Sequence, residues 1–209
     1  MIKLAVFDFD STLMDGETID ILAASRGVGE EVSKITAAAM RGELDFFESL
    51  QKRVALLKGM SEQKAVDICH HLTYMPGAKE LIKELKQRGI KVVVFSGGFR
   101  FATSYAKDIL GFDADFANVL HAKDGFLTGL VGGDMMFGYS KGDMLSRLQK
   151  LLFISKDDTM AVGDGANDLS MFAVSGVKVA FCAKEILRKN ADIIINEKDL
   201  TKILTNVLK

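Results

Sequence analysis

Ile2-Lys3-Leu4-Ala5-Val6-Phe7 runs directly into Asp8-Phe9-Asp10-Ser11-Thr12. An apolar run of strand length that stops where its side chains become ionisable reads as a buried strand ending at a polar site. Side chains alternate along a strand, so Asp8 and Asp10 can point the same way. Burying two like charges together is costly unless a cation or a proton intervenes, so the pair implies a metal, a raised pKa, or both. A strand that merely ends in a polar loop explains one Asp far better than it explains Asp-x-Asp-x-Thr.

Working outward, the next convincing strand is Ile90-Lys91-Val92-Val93-Val94-Phe95, roughly 80 residues on, whereas a strand-helix-strand unit takes about 30. Pro76-Gly77-Ala78 opens a helix that stops at Gly89 and suffices as the crossover. Residues 15–74 are then an insertion with a helical apolar pattern: Ile19 and Leu22, Val32 and Ile35, Phe46 to Leu57, Ala65 to Leu72. The expected organisation is a catalytic core of residues 1–14 and 75–209 with a small helical cap of residues 15–74 beside the site.

Downstream, Phe95 meets Ser96-Gly97-Gly98 and a helix through Phe101 to Leu110. Two short strand-like runs within Ala117–Gly133 are split by the hairpin pair Asp124-Gly125. A helix opens at Ser140-Lys141-Gly142-Asp143, and a buried strand, Thr159–Gly163, leads into Asp164-Gly165-Ala166-Asn167-Asp168. Val177–Phe181 and Asp192–Ile195 are further strands, flanked by helices at Lys184–Lys189 and Leu200–Leu208. The alternation predicts an α/β fold, a Rossmann-like parallel sheet with helices on both faces.

The whole-chain numbers narrow the function classes. At 209 residues, 48% apolar and 26% charged, the chain supports one core domain plus an insertion. Basic and acidic residues number 27 and 28, a net charge of -1, so nothing in the balance points to a nucleic-acid partner. Four apolar residues between Lys3 and Asp8 are too few for a signal-peptide core or a membrane span, and the expectation is a soluble, cytoplasmic protein. Cys69 and Cys182, far apart in apolar contexts, suit free thiols. His70 and His71 are neighbours on a helix and diverge by about 100°, which favours structural roles. Gly163-x-Gly165-x-x-Asp168 lacks the third Gly of a dinucleotide fingerprint.

Function in a parallel sheet gathers at the carboxyl ends of the strands. Three strands here end in Asp8-x-Asp10, Ser96-Gly97-Gly98 and Asp164 to Asp168, and Lys141 adds a cation at a helix start. Carboxylates, a cation, a hydroxyl and glycine-permitted N–H groups suit a hard divalent metal and a phosphoryl group. Phosphate-monoester hydrolysis is slow, and a carboxylate nucleophile splits it into two easier steps. Asp8 would attack phosphorus, and Asp10 would protonate the leaving alcohol and later deprotonate water.

At this point the four segments resemble the four motifs of the haloacid dehalogenase superfamily of phosphotransferases. Glu17-Thr18-Ile19-Asp20 and Met40-Arg41-Gly42-Glu43-Leu44-Asp45-Phe46 through Arg53 resemble the cap of its phosphoserine phosphatase branch. The resemblance implies Asp8 as nucleophile and Mg²⁺ ligand, Asp10 as acid/base with its backbone carbonyl on the metal, and Asp164 as the remaining metal ligand. It implies Ser96, Gly97 and Lys141 as phosphoryl binders, Asn167 as a substrate contact, and Thr12 and Asp168 as residues behind that first layer. In the cap it implies Glu17 facing a substrate ammonium, Arg53 its carboxylate, and Met40 and Phe46 closing the pocket. Arg offers a fork for a carboxylate, so an amino-acid substrate is chemically consistent. Tyr139-Ser140 departs from the basic or small residue more common ahead of the lysine.

The implied activity is Mg²⁺-dependent hydrolysis of O-phosphoserine, the last step of serine biosynthesis, by a monomer or homodimer. A phosphatase or phosphotransferase acting on another metabolite such as phosphohomoserine is the nearest alternative. A phospho-acceptor signalling domain is the alternative from another class, and it would need neither Asp10 nor a cap. Because the cap carries substrate groups and the core the catalyst, the cap is expected to close over the core.

Overall fold

The computed structural model describes residues 1–207. The apolar run near the start of the chain forms β1 (Leu4–Asp8), with every residue buried. Four helices follow, α1 (Thr18–Arg26), α2 (Gly29–Met40), α3 (Phe46–Ala55) and α4 (Glu62–His70), before the crossover helix α5 (Ala78–Gln87). The remaining elements are β2 (Lys91–Phe99), α6 (Arg100–Leu110), β3 (Ala114–Lys123), β4 (Phe126–Gly133), α7 (Ser140–Leu152) and β5 (Thr159–Gly163). A 3₁₀ turn over Ala166–Asp168 leads into α8 (Leu169–Ala173), then β6 (Val177–Phe181), α9 (Glu185–Arg188), β7 (Ile193–Ile195) and α10 (Lys202–Val207). Leu208, the expected end of the last helix, lies outside the described residues.

The sheet order is β4-β3-β2-β1-β5-β6-β7, parallel throughout except for β4, which pairs antiparallel with β3. The two short runs expected within residues 117–133 are thus one longer hairpin at the sheet edge. Period-two alternation divides the core: Ala5, Phe7, Val92, Val94, Met160 and Val162 join one apolar cluster, and Leu4, Val6, Val93, Phe95 and Ala161 the other. α5 and α6 cover the first face, α7 and α8 the second. The strand order puts β1 between β2 and β5, so their three carboxyl ends lie side by side.

One difference concerns β2, which continues through Ser96-Gly97-Gly98 to Phe99 instead of ending at Phe95. Two glycines weaken strand propensity, but parallel pairing with β3 carries the backbone on, with an irregularity between Ser96 and Phe99.

Helices α1–α4 share the core of the sheet face that α5 and α6 cover: Ile19, Leu22, Val32, Leu50, Val54 and Ala65 belong to the cluster that holds Phe7 and Phe9. The chain enters and leaves this layer through adjacent segments, with Asp15 N–H donating to Thr73 O at 2.9 Å and Met75 N–H to Leu13 O at 2.8 Å. The hairpin tip grips the α3–α4 turn: Gly59 N–H donates to Leu127 O, Leu127 N–H to Met60 O and Glu62 N–H to Gly125 O. Any closing motion of the layer must carry that tip with it or break these bonds.

Candidate active site

Asp8 ends β1 almost wholly buried; its Oδ1 accepts from Phe9 N–H at 2.7 Å and pairs with Lys141 Nζ at 2.7 Å. Lys141, in the first turn of α7, also donates to Asp168 Oδ1 at 2.6 Å. Asp168 Oδ2 accepts the N–H groups of Asp164 and Gly165, each at 3.0 Å, and so shapes the loop after β5. Among the described residues no hydrogen bond is made to Asp8 Oδ2, which leaves that oxygen free to react or to bind a cation.

Asp10 turns to the start of α1, where Oδ1 accepts from Thr18 Oγ1 at 2.5 Å and Thr18 N–H at 3.0 Å. Burial foremost, and then the charge of Glu17, push its carboxyl up to about 7. Burial and then Asp168 push Asp164 up to about 7, and burial followed by Asp168 raises Asp8 against the opposing pull of Lys141. Burial alone would depress the Lys141 ammonium, but Asp168 and Asp8 reverse this and hold it above its ordinary value.

A cavity of about 210 Å³ opens above these groups, lined by Asp8, Asp10, Gly97, Gly98, Asp164 and Asn167 from the sheet side and by Glu17, Asp20, Thr36, Phe46, Leu50 and Arg53 from the helical layer. Glu17 accepts from Ser11 Oγ at 2.8 Å, and Arg53 Nε donates to Ser49 O at 3.3 Å. Burial lowers the Arg53 guanidinium, partly offset by Glu17, Asp20 and Asp10. Gly97 and Gly98 are needed for close approach: a Cβ on Gly98 would lie 2.5 Å from Asp10 Oδ2, and one on Gly97 2.9 Å from the tip of the Phe46 ring.

A family model described as haloacid dehalogenase-like hydrolase matches residues 2–176. The phosphoserine phosphatase of Wolinella succinogenes is 66% identical over 98% of this chain and 100% of its own. That of Methanocaldococcus jannaschii is 52% identical over 97% and 96%. A solved substrate-bound phosphoserine phosphatase complex superposes with a TM-score of 0.93 at 51% identity, covering 98% of each chain. The chain belongs to the phosphoserine phosphatases, within the haloacid dehalogenase-like hydrolases.

Haloacid dehalogenase-like hydrolases generally use a metal ion, and carboxylate oxygens of Asp8, Asp164 and Asp168 lie within 4.8 Å of one another. The all-oxygen donor set, the raised carboxyls and a single buried ammonium shared by Asp8 and Asp168 fit a hard cation. Asp168 already has both oxygens engaged, so Asp8 and Asp164 have the greater capacity to coordinate.

Not every residue expected in a phosphoserine phosphatase pocket lies in this one. Met40, the last residue of α2, is 70% exposed and outside the cavity; Thr36, one turn earlier, takes the lining position. Ser96 is buried beneath the cavity floor, its hydroxyl accepting from Gly98 N–H at 2.9 Å. Thr12 Oγ1 is buried with no hydrogen-bond partner among the described residues. Lys184 was not anticipated: it follows β6, lines the cavity and stands 3.8 Å from Asp164 Oδ2. Applying the strand-end rule to β6 as well finds it. His70 stacks on Tyr105, His71 Nδ1 meets Asp67 O, and both cysteines are free.

The raised carboxyls make a stability prediction for this phosphoserine phosphatase. A carboxyl near 7 in the fold and near 3.8 when unfolded binds its proton more tightly when folded, so its stabilising contribution is lost as pH rises through that window. With chelator, the Tm is expected to fall on the order of 5 °C between pH 5 and pH 7, and a divalent cation should reverse most of the fall. A chelated Tm that stays level or rises over that range contradicts the expectation.

Proposed function

We propose that the chain hydrolyses O-phospho-L-serine to L-serine and orthophosphate through an aspartyl-phosphate on Asp8, with Mg²⁺, as the serine-releasing last step of serine biosynthesis. The observation that carries the reading is one cavity with a free Asp8 oxygen at its floor and Glu17 and Arg53, opposite charges for the two ends of an amino acid, on its helical wall. Residues 15–74 act as the cap in this reading and the rest as the core.

Asp8 Oδ2 attacks phosphorus as the ester P–O bond breaks, and Asp10 gives its proton to the departing seryl oxygen. Asp10 then takes a proton from the water that attacks the aspartyl-phosphate, which regenerates Asp8 and releases orthophosphate. A carboxyl near 7 suits both transfers. Lys141 pairs with Asp8 and Asp168 and favours the ionised Asp8 against burial. Asp8, Asp164 and the Asp10 backbone carbonyl would hold Mg²⁺, with Asp168 orienting the Asp164 loop. Bound Mg²⁺ supplies Lewis-acid stabilisation of the phosphoryl oxygens. Gly97 and Lys141 receive those oxygens, Asn167 contacts the substrate, and Phe46 covers it.

The test is phosphate release from O-phospho-L-serine against phosphohomoserine, sugar phosphates and nucleotides, with Mg²⁺ and with chelator. Phosphoserine should be preferred, and chelator should remove the activity. Arg53→Met is expected to raise KM for phosphoserine by roughly 10- to 100-fold, since it deletes a half-buried charged partner worth about 1.5–3 kcal/mol. Equal turnover of phosphoserine and sugar phosphates by the unaltered chain would overturn the substrate assignment while leaving the Asp8 chemistry standing.

A further inference from the structure

We propose that Asn118 is a positioning residue for the phosphoryl-binding turn of β2, and that it ties this turn to the β4–α7 connection, against which the start of α3 also packs. The inference rests on the reading that Gly97 receives the phosphoryl group.

Asn118 lies in β3, wholly buried, opposite Phe99 where the β2–β3 ladder is irregular. Its Nδ2 donates to Gly97 O at 3.0 Å and to Met135 O at 3.1 Å, and its Oδ1 accepts from Met135 N–H at 3.0 Å. Both amide hydrogens and the oxygen are used, which also settles the amide's orientation: the reverse would set oxygen against two carbonyls. A carboxylate of the same shape would face that repulsion permanently.

The two segments it joins each carry an aromatic contact from the start of α3. Phe46 rests its ring on Gly97, and Phe47 stacks on Phe137, two residues beyond Met135, with centroids 5.0 Å apart and planes 15° apart. Phe137 stacks in turn on Tyr139, the residue just ahead of the helix that carries Lys141. One buried amide therefore holds the Gly97 backbone, the seat of α3, and the approach to Lys141 in one register. Releasing it should cost most at the phosphoryl end of the substrate.

The experiment compares Asn118→Asp and Asn118→Ala with Thr103→Ala, which removes a different buried hydrogen bond, to Asp115 at 2.8 Å, outside the cavity lining. KM and kcat for O-phospho-L-serine, and inhibition by orthophosphate and by L-serine, are measured with Mg²⁺ below the melting range. Asn118→Asp is expected to weaken orthophosphate inhibition by roughly 10- to 100-fold, more than it weakens inhibition by L-serine, while Thr103→Ala lowers the Tm and changes neither. Unchanged orthophosphate inhibition in folded Asn118→Asp overturns the proposal; an unaltered chain that orthophosphate does not inhibit instead overturns the reading beneath it, and this inference with it. If neither Asn118 variant folds, hydrogen exchange in the unaltered chain decides: orthophosphate with Mg²⁺ should slow exchange across residues 134–137 as well as 95–99, and protection confined to 95–99 overturns the coupling.

Discussion

Asp8→Asn is expected to lower kcat for phosphoserine by at least about 10⁴-fold while leaving the fold as heat-stable as before, or more so. Asn preserves the volume and can still accept from Phe9 N–H, but it is a far weaker nucleophile than a carboxylate. The stability half follows from the same geometry. Burial and then Asp168 disfavour the ionised Asp8 in the fold, so removing its charge relieves the cluster, and Lys141 keeps Asp168 as partner. Steady-state kinetics and a melt in chelator check the two parts, and intact-mass analysis of Asp8→Asn with substrate should show no phosphoenzyme. Activity within about tenfold of the unaltered chain in Asp8→Asn, with the fold intact, would remove Asp8 from the role of nucleophile.

Asp10→Asn should lower kcat by about 10²- to 10⁴-fold, and its effect should depend on the leaving group. Asn can still accept from Thr18 at Oδ1, so the loop between β1 and α1 keeps its shape. What is lost is a proton held near neutrality by burial and by Glu17. A phenolic ester with a good leaving group needs no acid, so its first step should survive while hydrolysis of the aspartyl-phosphate stalls. Rapid-quench assays on such an ester should then show a burst of phenol close to one per active site, followed by slow turnover. Equal slowing of phosphoserine and of the phenolic ester, with no burst, would count against Asp10 as the proton carrier.

Much of this architecture is legible in the chain itself. The β1 run is apolar on both faces because parallel strands are covered on both faces, and its carboxylates mark the end of the strand. Helix α5 is bracketed by Pro76 and Gly89. The extension of β2 through two glycines is illegible, since neighbouring β3, and not local propensity, holds those residues extended. Met40 and Thr36 are also not separable by pattern: both stand on α2, and which turn faces the cavity depends on how that helix lies against α1 and α3.

The amino-acid sequence by itself determined the alternation of strands and helices, the helical insertion and the acidic strand end, because periodicity and turn chemistry are local properties. Only the tertiary structure decided that β1 lies between β2 and β5, that Lys141 bridges Asp8 and Asp168, that Lys184 reaches Asp164, and that Asn118 joins Gly97 to Met135. Those pairings link residues far apart in the chain, and their energies exist only once burial has stripped water from the partners.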